Sequence, residues 1–119
     1  MKEIKLGTLY YEISRHNPAA LTIQPGETVR IETEDTFNGL VRKRGDHRDL
    51  EKKPHGNPQS GPIFIAGAAK GDTLAVQIDK IEPRLGQAAN DMTWARLGIG
   101  EFLGLDIPVN TRIAPIRDG

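Results

Sequence analysis

The carboxylate of Asp35 is the side chain whose place in the sequence is best suited to chemistry. It follows a charged, strand-like stretch and opens the segment Asp35-Thr-Phe-Asn-Gly39. A carboxylate at the end of a strand can bind a substrate or a metal from the loop that follows. An aspartate at the start of a glycine-closed turn can equally cap that turn with its own side chain. The neighbouring residues leave both roles open.

The other residues with reactive side chains form no recognisable site. His16, His47 and His55 are scattered, and none belongs to a His-x-x-x-His pair of the kind that binds zinc. His47 has Asp46 and Asp49 beside it, and a charged surface explains that group better than metal binding. No Gly-x-Ser-x-Gly segment exposes a serine nucleophile, no glycine-rich phosphate loop is present, and there is no cysteine.

Length and charge bound the class of protein. The 119 residues predict one domain over residues 1–119, with an aliphatic core, because only 5% of the residues are aromatic. Sixteen basic and sixteen acidic residues balance, so we expect neither nucleic acid nor an anionic membrane as partner. There is no long apolar run of the kind that forms a signal peptide or crosses a membrane, and we expect a soluble intracellular protein.

Short alternating runs separated by turn residues predict an all-β fold. We expect strands over residues 6–14, on both sides of the Pro25-Gly26 turn, and on both sides of Gly71. The segments Gly26-Glu-Thr-Val29 and Gly71-Asp-Thr-Leu74 match, which indicates two similar strand-turn-strand units. In each unit the run after the turn alternates apolar and polar residues, as in a strand with one buried face.

Three further segments complete the predicted organisation. The mixed charges of residues 42–59 favour a solvated loop over an electrostatic binding patch. Residues 90–105 favour a glycine-rich loop with apolar anchors, since Gly98, Gly100 and Gly104 each weaken a helix by about 1 kcal/mol. Residues 111–116 suggest one more strand.

Taken in order, these segments resemble the acetamidase/formamidase family. The family's Asn-Pro-x-Thr/Ser-Gly-Pro motif and the Gly-Asp-x-Leu that follows it are matched by Asn57-Pro-Gln-Ser-Gly-Pro-Ile-Phe-Ile-Ala-Gly-Ala-Ala-Lys-Gly-Asp-Thr-Leu74. An earlier motif with Pro-Gly-Asp/Glu-Thr-Val is matched by Ala20-Leu-Thr-Ile-Gln-Pro-Gly-Glu-Thr-Val-Arg-Ile-Glu-Thr-Glu-Asp-Thr-Phe-Asn-Gly39. The match from Asn57 to Leu74 is the long and specific one, and the earlier match supports it. The likeness covers most of Leu21 to Ile81.

The resemblance implies a jelly-roll-like β-sandwich with long loops, a cytoplasmic location, homo-oligomers and hydrolysis of formamide or acetamide to a carboxylate and ammonia. It also implies a divalent metal, often zinc, that would polarise the amide carbonyl and activate water. On this basis Asp35 is the expected catalytic and metal-binding carboxylate, and Asn57 and Gly61 are expected to shape the substrate-side loop. Glu27 and Asp72 occupy equivalent places, so we expect a turn role for both.

Two departures from the family pattern qualify the enzyme hypothesis. Leu40 stands where the family commonly has glutamine, and family members are considerably longer. We therefore expect the amino-terminal portion of an amide hydrolase, completed by a carboxy-terminal half or by a second chain that supplies most metal ligands. The alternative is a non-catalytic β-sandwich module that binds a partner or assembles with another chain.

Overall fold

Strands begin where β-branched and aliphatic residues cluster between turns. The computed structural model describes residues 1–91, 100–106, 108 and 110–117. Six strands are named: β1 Lys2–Ile4, β2 Leu21–Ile23, β3 Val29–Ile31, β4 Ile63–Ile65, β5 Gln87–Asp91 and β6 Thr111–Pro115. The named elements are all strands, which confirms the all-β class. They form three separate two-stranded sheets, and the jelly-roll-like sandwich stays a prediction.

The chain divides into two compact units. The first unit comprises Met1–Thr36 and His55–Gln77, and the second comprises Phe37–Pro54 and Ile78–Gly119. Each unit draws on two stretches of the chain, so neither is a simple amino- or carboxy-terminal half. The prediction of one domain over residues 1–119 stays a prediction.

Two parallel strand pairs form the framework of the first unit. β1 lies beside β3 with Ile4 opposite Ile31, and β2 lies beside β4 with Ile23 opposite Ile65. Parallel neighbours need long connections, and each pair joins strands that are distant in sequence. Ile4 and Ile23 are buried and form the apolar core of this unit, whereas Ile31 is 41% exposed. The predicted buried face of β3 is therefore only partly covered, because a two-stranded sheet of short strands offers little surface to pack on it.

The two predicted turns have the same geometry. In the first, Gly26 has φ +83° and the carboxylate of Glu27 accepts a hydrogen bond of 2.6 Å from the backbone N–H of Gln24. In the second, Gly71 has φ +105° and the carboxylate of Asp72 accepts a bond of 2.9 Å from the N–H of Ala69. Positive φ is the conformation that glycine adopts without steric cost. The turn role predicted for Glu27 and Asp72 is confirmed.

Two predicted strands are absent from the structure. In residues 6–14 only Tyr10 makes a bridge, to Gln59, and the chain then bends where the Asn17 side chain donates to the carbonyl oxygen of Glu12. Such local side-chain bonds compete with a strand ladder. The run 74–78 is no strand either, and its Ile78 side chain is 70% exposed. Apolar alternation alone does not make a strand without a neighbour to pair with.

An antiparallel hairpin-like pair organises the second unit. β5 and β6 pair from Gln87 opposite Pro115 to Asp91 opposite Thr111, which confirms the strand predicted over 111–116. Val41 is almost fully buried in this unit. Phe102, Leu103 and Leu105 are exposed rather than apolar anchors, and residues 92–99 of that predicted loop lie outside the described residues.

The charged segment 42–59 has no strand and is largely a loop, as predicted, but one part of it is buried. Arg48 is only 5% exposed, and its backbone N–H donates to the carboxylate of Asp91, which is also buried. The Thr111 hydroxyl donates to the carbonyl oxygen of Asp46. The segment is thus anchored to β5 and β6 through polar contacts rather than fully solvated.

No helix among the described residues is long and apolar enough to cross a membrane.

The core of the first unit should depend on Ile23. Ile23→Ala is expected to lower the free energy of unfolding by about 2–3 kcal/mol, since burial of the side chain is lost and a cavity remains. Ile78→Ala makes the same chemical change at an exposed position, and we expect a cost within about 0.5 kcal/mol. Urea denaturation of both variants measures the difference, and equal costs would contradict the assignment of the core.

The Glu27 turn should make stability depend on pH. The Lys2 ammonium hydrogen-bonds the Glu27 carboxylate at 2.8 Å and, together with the Gln24 N–H, lowers the pKa of Glu27 below its ordinary value. A lowered folded pKa stabilises the protein fully above the unfolded pKa, and the stabilisation is lost as pH falls through the folded pKa.

Between about pH 6 and pH 3, the fall in the urea midpoint should therefore be shallower in Glu27→Gln than in the wild type. Glu51→Gln replaces an exposed glutamate in the other unit and serves as the control. An unchanged slope in Glu27→Gln would contradict this role.

Candidate functional site

The family-like segment Asn57–Pro62, called the 57–62 loop below, is tied to the chain that follows β3. The backbone N–H of Asn57 donates to the carbonyl oxygen of Thr36 at 3.1 Å, and the Thr36 hydroxyl donates to Asn57 Oδ1 at 2.7 Å. Asn57 has φ +55°, a conformation that asparagine tolerates better than most residues. The predicted substrate-side residue Asn57 is therefore held by two contacts to the residue next to Asp35.

Ser60 makes a second tie between the same segments. Its hydroxyl donates to the backbone carbonyl oxygen of Glu32 at 2.7 Å. The backbone N–H of Glu32 in turn donates to the carbonyl oxygen of Ile4 at 2.9 Å. The Glu32 carboxylate accepts a hydrogen bond of 2.9 Å from the backbone N–H of Leu6. One residue thus joins the 57–62 loop to β1 and to the segment after it.

Gly61 is buried in the loop and has φ +113°. A side chain at this φ is strained in any L residue, whatever space surrounds it. The bond between Gly61 and Pro62 is cis. The expectation that Gly61 shapes the loop through its backbone is consistent with this conformation, while its contact with a substrate stays a prediction.

Asp35 is half-buried, and its backbone N–H donates to Oε1 of Glu34 at 3.0 Å. Through Thr36 it is one residue away from the contacts that hold Asn57. The structure thus brings Asn57 and the chain around Asp35 into one region of the first unit. The catalytic and metal-binding roles of Asp35 stay predictions.

The described residues do not provide a metal site. Among them no group of three or more histidine, aspartate or glutamate side chains is placed to hold an ion. Zinc sites usually need three or four protein ligands, so Asp35 with its described neighbours does not fit such a metal. Any step that needs a metal would require ligands from elsewhere.

The two carboxylates near His47, those of Asp46 and Asp49, form hydrogen bonds within their own loop. The Asp46 carboxylate accepts hydrogen bonds of 2.9 and 3.0 Å from the backbone N–H groups of Arg42 and Lys43. These bonds lower the pKa of Asp46 below its ordinary value. Asp49 hydrogen-bonds Lys52, which lowers the pKa of Asp49 and raises that of Lys52. The charges of this loop therefore close turns, in agreement with the surface interpretation of the sequence.

A small open pocket lies beside the 57–62 loop, between it and the segment 10–17. Its volume is about 90 Å³, and Tyr10, Glu12, Ile13, Gln59 and Gly61 are among the residues that line it. Tyr10 and Gln59 bridge the two walls by backbone bonds of 3.0 and 2.8 Å.

Tyr10 and Glu12 were not predicted as site residues. Their sequence context, an alternating apolar and polar run, is typical of a strand, and that strand is absent. Tyr10 lies by the pocket through its bridge to Gln59, a residue almost fifty positions away, for which the local sequence has no signal.

The comparison with known families decides the relationship. The model of the Acetamidase/Formamidase family matches residues 13–103. The chain belongs to this family. The membership predicted from the motifs is confirmed, and the matched range contains Asp35, Asn57 and Gly61, whereas Tyr10 and Glu12 lie before it.

Two relatives of this acetamidase/formamidase chain show the extent of the likeness. An acetamidase of Mycolicibacterium smegmatis is 39% identical over 69 residues, which are 56% of this chain and 17% of the relative. A protein of Schizosaccharomyces pombe that carries the name formamidase is 35% identical over 68 residues, again 56% of this chain and 17% of the relative. The matched part is thus about one sixth of each relative. No solved structure matches the chain.

The bond between Ser60 and Glu32 should stabilise the 57–62 loop. Ser60→Ala is expected to cost about 1 kcal/mol of unfolding free energy, because a part-buried carbonyl loses its partner. In the same variant the backbone amide hydrogen of Gln59 should exchange with solvent deuterium faster than in the wild type. Ser14→Ala is the control, since among the described residues the Ser14 hydroxyl accepts a hydrogen bond only from the N–H of nearby His16. Unchanged Gln59 exchange in Ser60→Ala would contradict this role.

Proposed function

We propose that this chain is the amino-terminal portion of a metal-dependent amide hydrolase that converts small linear amides such as formamide or acetamide to a carboxylate and ammonia. Membership of the acetamidase/formamidase family and the names of both relatives support the amide as substrate class. The observation that carries the proposal is the pair of contacts between Asn57 and Thr36, which join the family's most specific motif to the chain around Asp35.

The proposed roles follow from the chemistry of amide hydrolysis. The reaction needs a group that takes a proton from water and a polar environment for the charge that develops on the amide oxygen. Asp35 is the proposed carboxylate for the first task, or a ligand of the metal. Asn57 and Gly61 are proposed to form the wall of the loop on the substrate side.

The remaining machinery is proposed to lie outside the described residues. The matched segment covers only 17% of each relative, so most of a relative's chain has no counterpart in it. A divalent metal, zinc by preference, would need most of its ligands from such additional residues, in the same polypeptide, a second chain or a further copy of a homo-oligomer. A cytoplasmic location is part of the proposal and rests on the resemblance to the family.

A non-catalytic assembly module is the second candidate function. Two observations favour it: the described residues hold no group of three metal ligands, and the run 74–78 exposes Leu74, Val76 and Ile78. Mass spectrometry of the natural assembly separates the candidates. A co-purified partner with no relation to amide hydrolases, in an assembly that cleaves no amide, would favour the module.

Asp35 provides the direct test of the enzyme. In the complete natural assembly, Asp35→Asn should lower kcat for acetamide and formamide by about 100-fold or more, because it removes a carboxylate from the reacting centre. Asp106→Asn makes the same change at an exposed site in the other unit and should leave kcat unaltered. Ammonia release measures both, and full activity of Asp35→Asn would refute its role.

A further inference from the structure

The pocket beside the 57–62 loop divides its polar side chains into two groups. Ser60 and Asn17 hold the walls, because the Ser60 hydroxyl donates to Glu32 and the Asn17 side chain donates to the Glu12 carbonyl oxygen. Tyr10 and Glu12 also line the pocket. In the part of the chain that the structure describes, neither the Tyr10 hydroxyl nor the Glu12 carboxylate makes a hydrogen bond with a side chain or backbone group. Their bonding capacity is available to a ligand.

The size of the pocket limits that ligand. A volume of about 90 Å³ is well below the roughly 300–1,000 Å³ of sites for drug-sized molecules. It exceeds the roughly 10–15 Å³ needed for one water. The occupant that fits is a molecule of a few non-hydrogen atoms, not a nucleotide or a folded peptide.

The chemistry of the lining selects among small molecules. Glu12 is an acceptor with a negative charge, and the Tyr10 hydroxyl can donate. A primary amide offers the complementary set, since its NH₂ group donates and its carbonyl oxygen accepts. Ile13, which is 93% exposed, and Pro62 add an apolar surface that a methyl group can cover. A carboxylate of the same size would instead be repelled by Glu12.

We propose that Tyr10 and Glu12 form a binding site for a small neutral carboxamide. Glu12 accepts a hydrogen bond from the amide NH₂ group, and Tyr10 donates one to the carbonyl oxygen. The choice of amide rests on the proposed function, whereas the position of the site and its preference for a neutral ligand rest on the pocket. The charge of Glu12 makes the site favour the amide over the carboxylate that hydrolysis produces.

The walls of this site are held before a ligand arrives. Tyr10 and Gln59 exchange two backbone hydrogen bonds across the pocket, and Ser60 fixes the loop on the far side to Glu32. A site that is already ordered loses less entropy on binding, which matters for a ligand that makes few contacts.

The test is an NMR titration of the isotope-labelled 119-residue chain with acetamide and, separately, with acetate. Acetamide should shift the amide signals of Gln59 and Gly61, and acetate should bind at least tenfold more weakly. Glu12→Gln should weaken acetamide binding about tenfold, because a hydrogen bond to a charged group is lost. The same variant should narrow the difference between acetamide and acetate. Tyr10→Phe should weaken the binding of both ligands, because the hydroxyl can donate to the oxygen of either.

Two variants control for unrelated effects. Tyr11→Phe changes the neighbouring tyrosine, whose ring centroid lies 5.5 Å from that of His55. Glu51→Gln removes a carboxylate outside the pocket. Both should bind acetamide like the wild type. A wild-type chain that binds no acetamide, shifts at residues away from the pocket, or unaltered affinity in Glu12→Gln would each overturn the site.

The test also separates this site from the proposed enzyme. Acetamide binding that depends on Glu12, in an assembly that releases no ammonia, would refute the enzyme and support the site. Hydrolysis by an assembly whose KM for acetamide is unchanged in Glu12→Gln and Tyr10→Phe would support the enzyme and refute the site.

Discussion

Three hydrogen bonds of Glu32 join the parts of the first unit that carry the candidate site. Its backbone N–H continues the pairing of β3 with β1, its carbonyl oxygen accepts the Ser60 hydroxyl, and its carboxylate accepts the N–H of Leu6. A strand of three residues makes few backbone hydrogen bonds with its neighbour. Contacts beyond the strand ends therefore contribute much of the stability of such a sheet. Glu32 is thus one of the residues that fix the 57–62 loop to the strand framework.

The contacts of Glu32 show that the 57–62 loop, which belongs to the most specific family motif, has a structural role. This role does not depend on any part that the loop plays in chemistry. Asn57 and Gly61 both have positive φ, and the Ser60 hydroxyl donates a hydrogen bond to a backbone carbonyl oxygen. These backbone conformations and this hydrogen bond define the path of the loop. Proteins often place their binding residues on loops that a rigid scaffold holds, and here the motif supplies the rigidity on one side of the pocket.

The sequence predicted what depends on local rules and missed what depends on distant contacts. The turns at Gly26 and Gly71, strands β2 to β4 and β6, and the equivalence of Glu27 with Asp72 follow from turn chemistry and residue type. The strand predicted over 6–14 failed, because alternation cannot show that Tyr10 meets Gln59 for one bridge only. The strand predicted over 74–78 failed for a related reason, since pattern alone supplies no pairing partner.

The carboxylates of this chain divide into those that stabilise a local turn and those that do not. Two carboxylates in family-like motifs, Glu27 and Asp72, accept backbone hydrogen bonds within their own turns and are thus occupied. Asp46 is occupied in the same way in the charged loop. Glu12, by contrast, belongs to no motif, and it lines a pocket whose opposite wall is the family's most specific segment. A carboxylate that a turn has already engaged is a poor base or ligand, because backbone hydrogen bonds already occupy its oxygens. Residues that recognise a ligand in this unit are therefore better sought where the chain leaves polar side chains uncommitted than where its sequence is most recognisable.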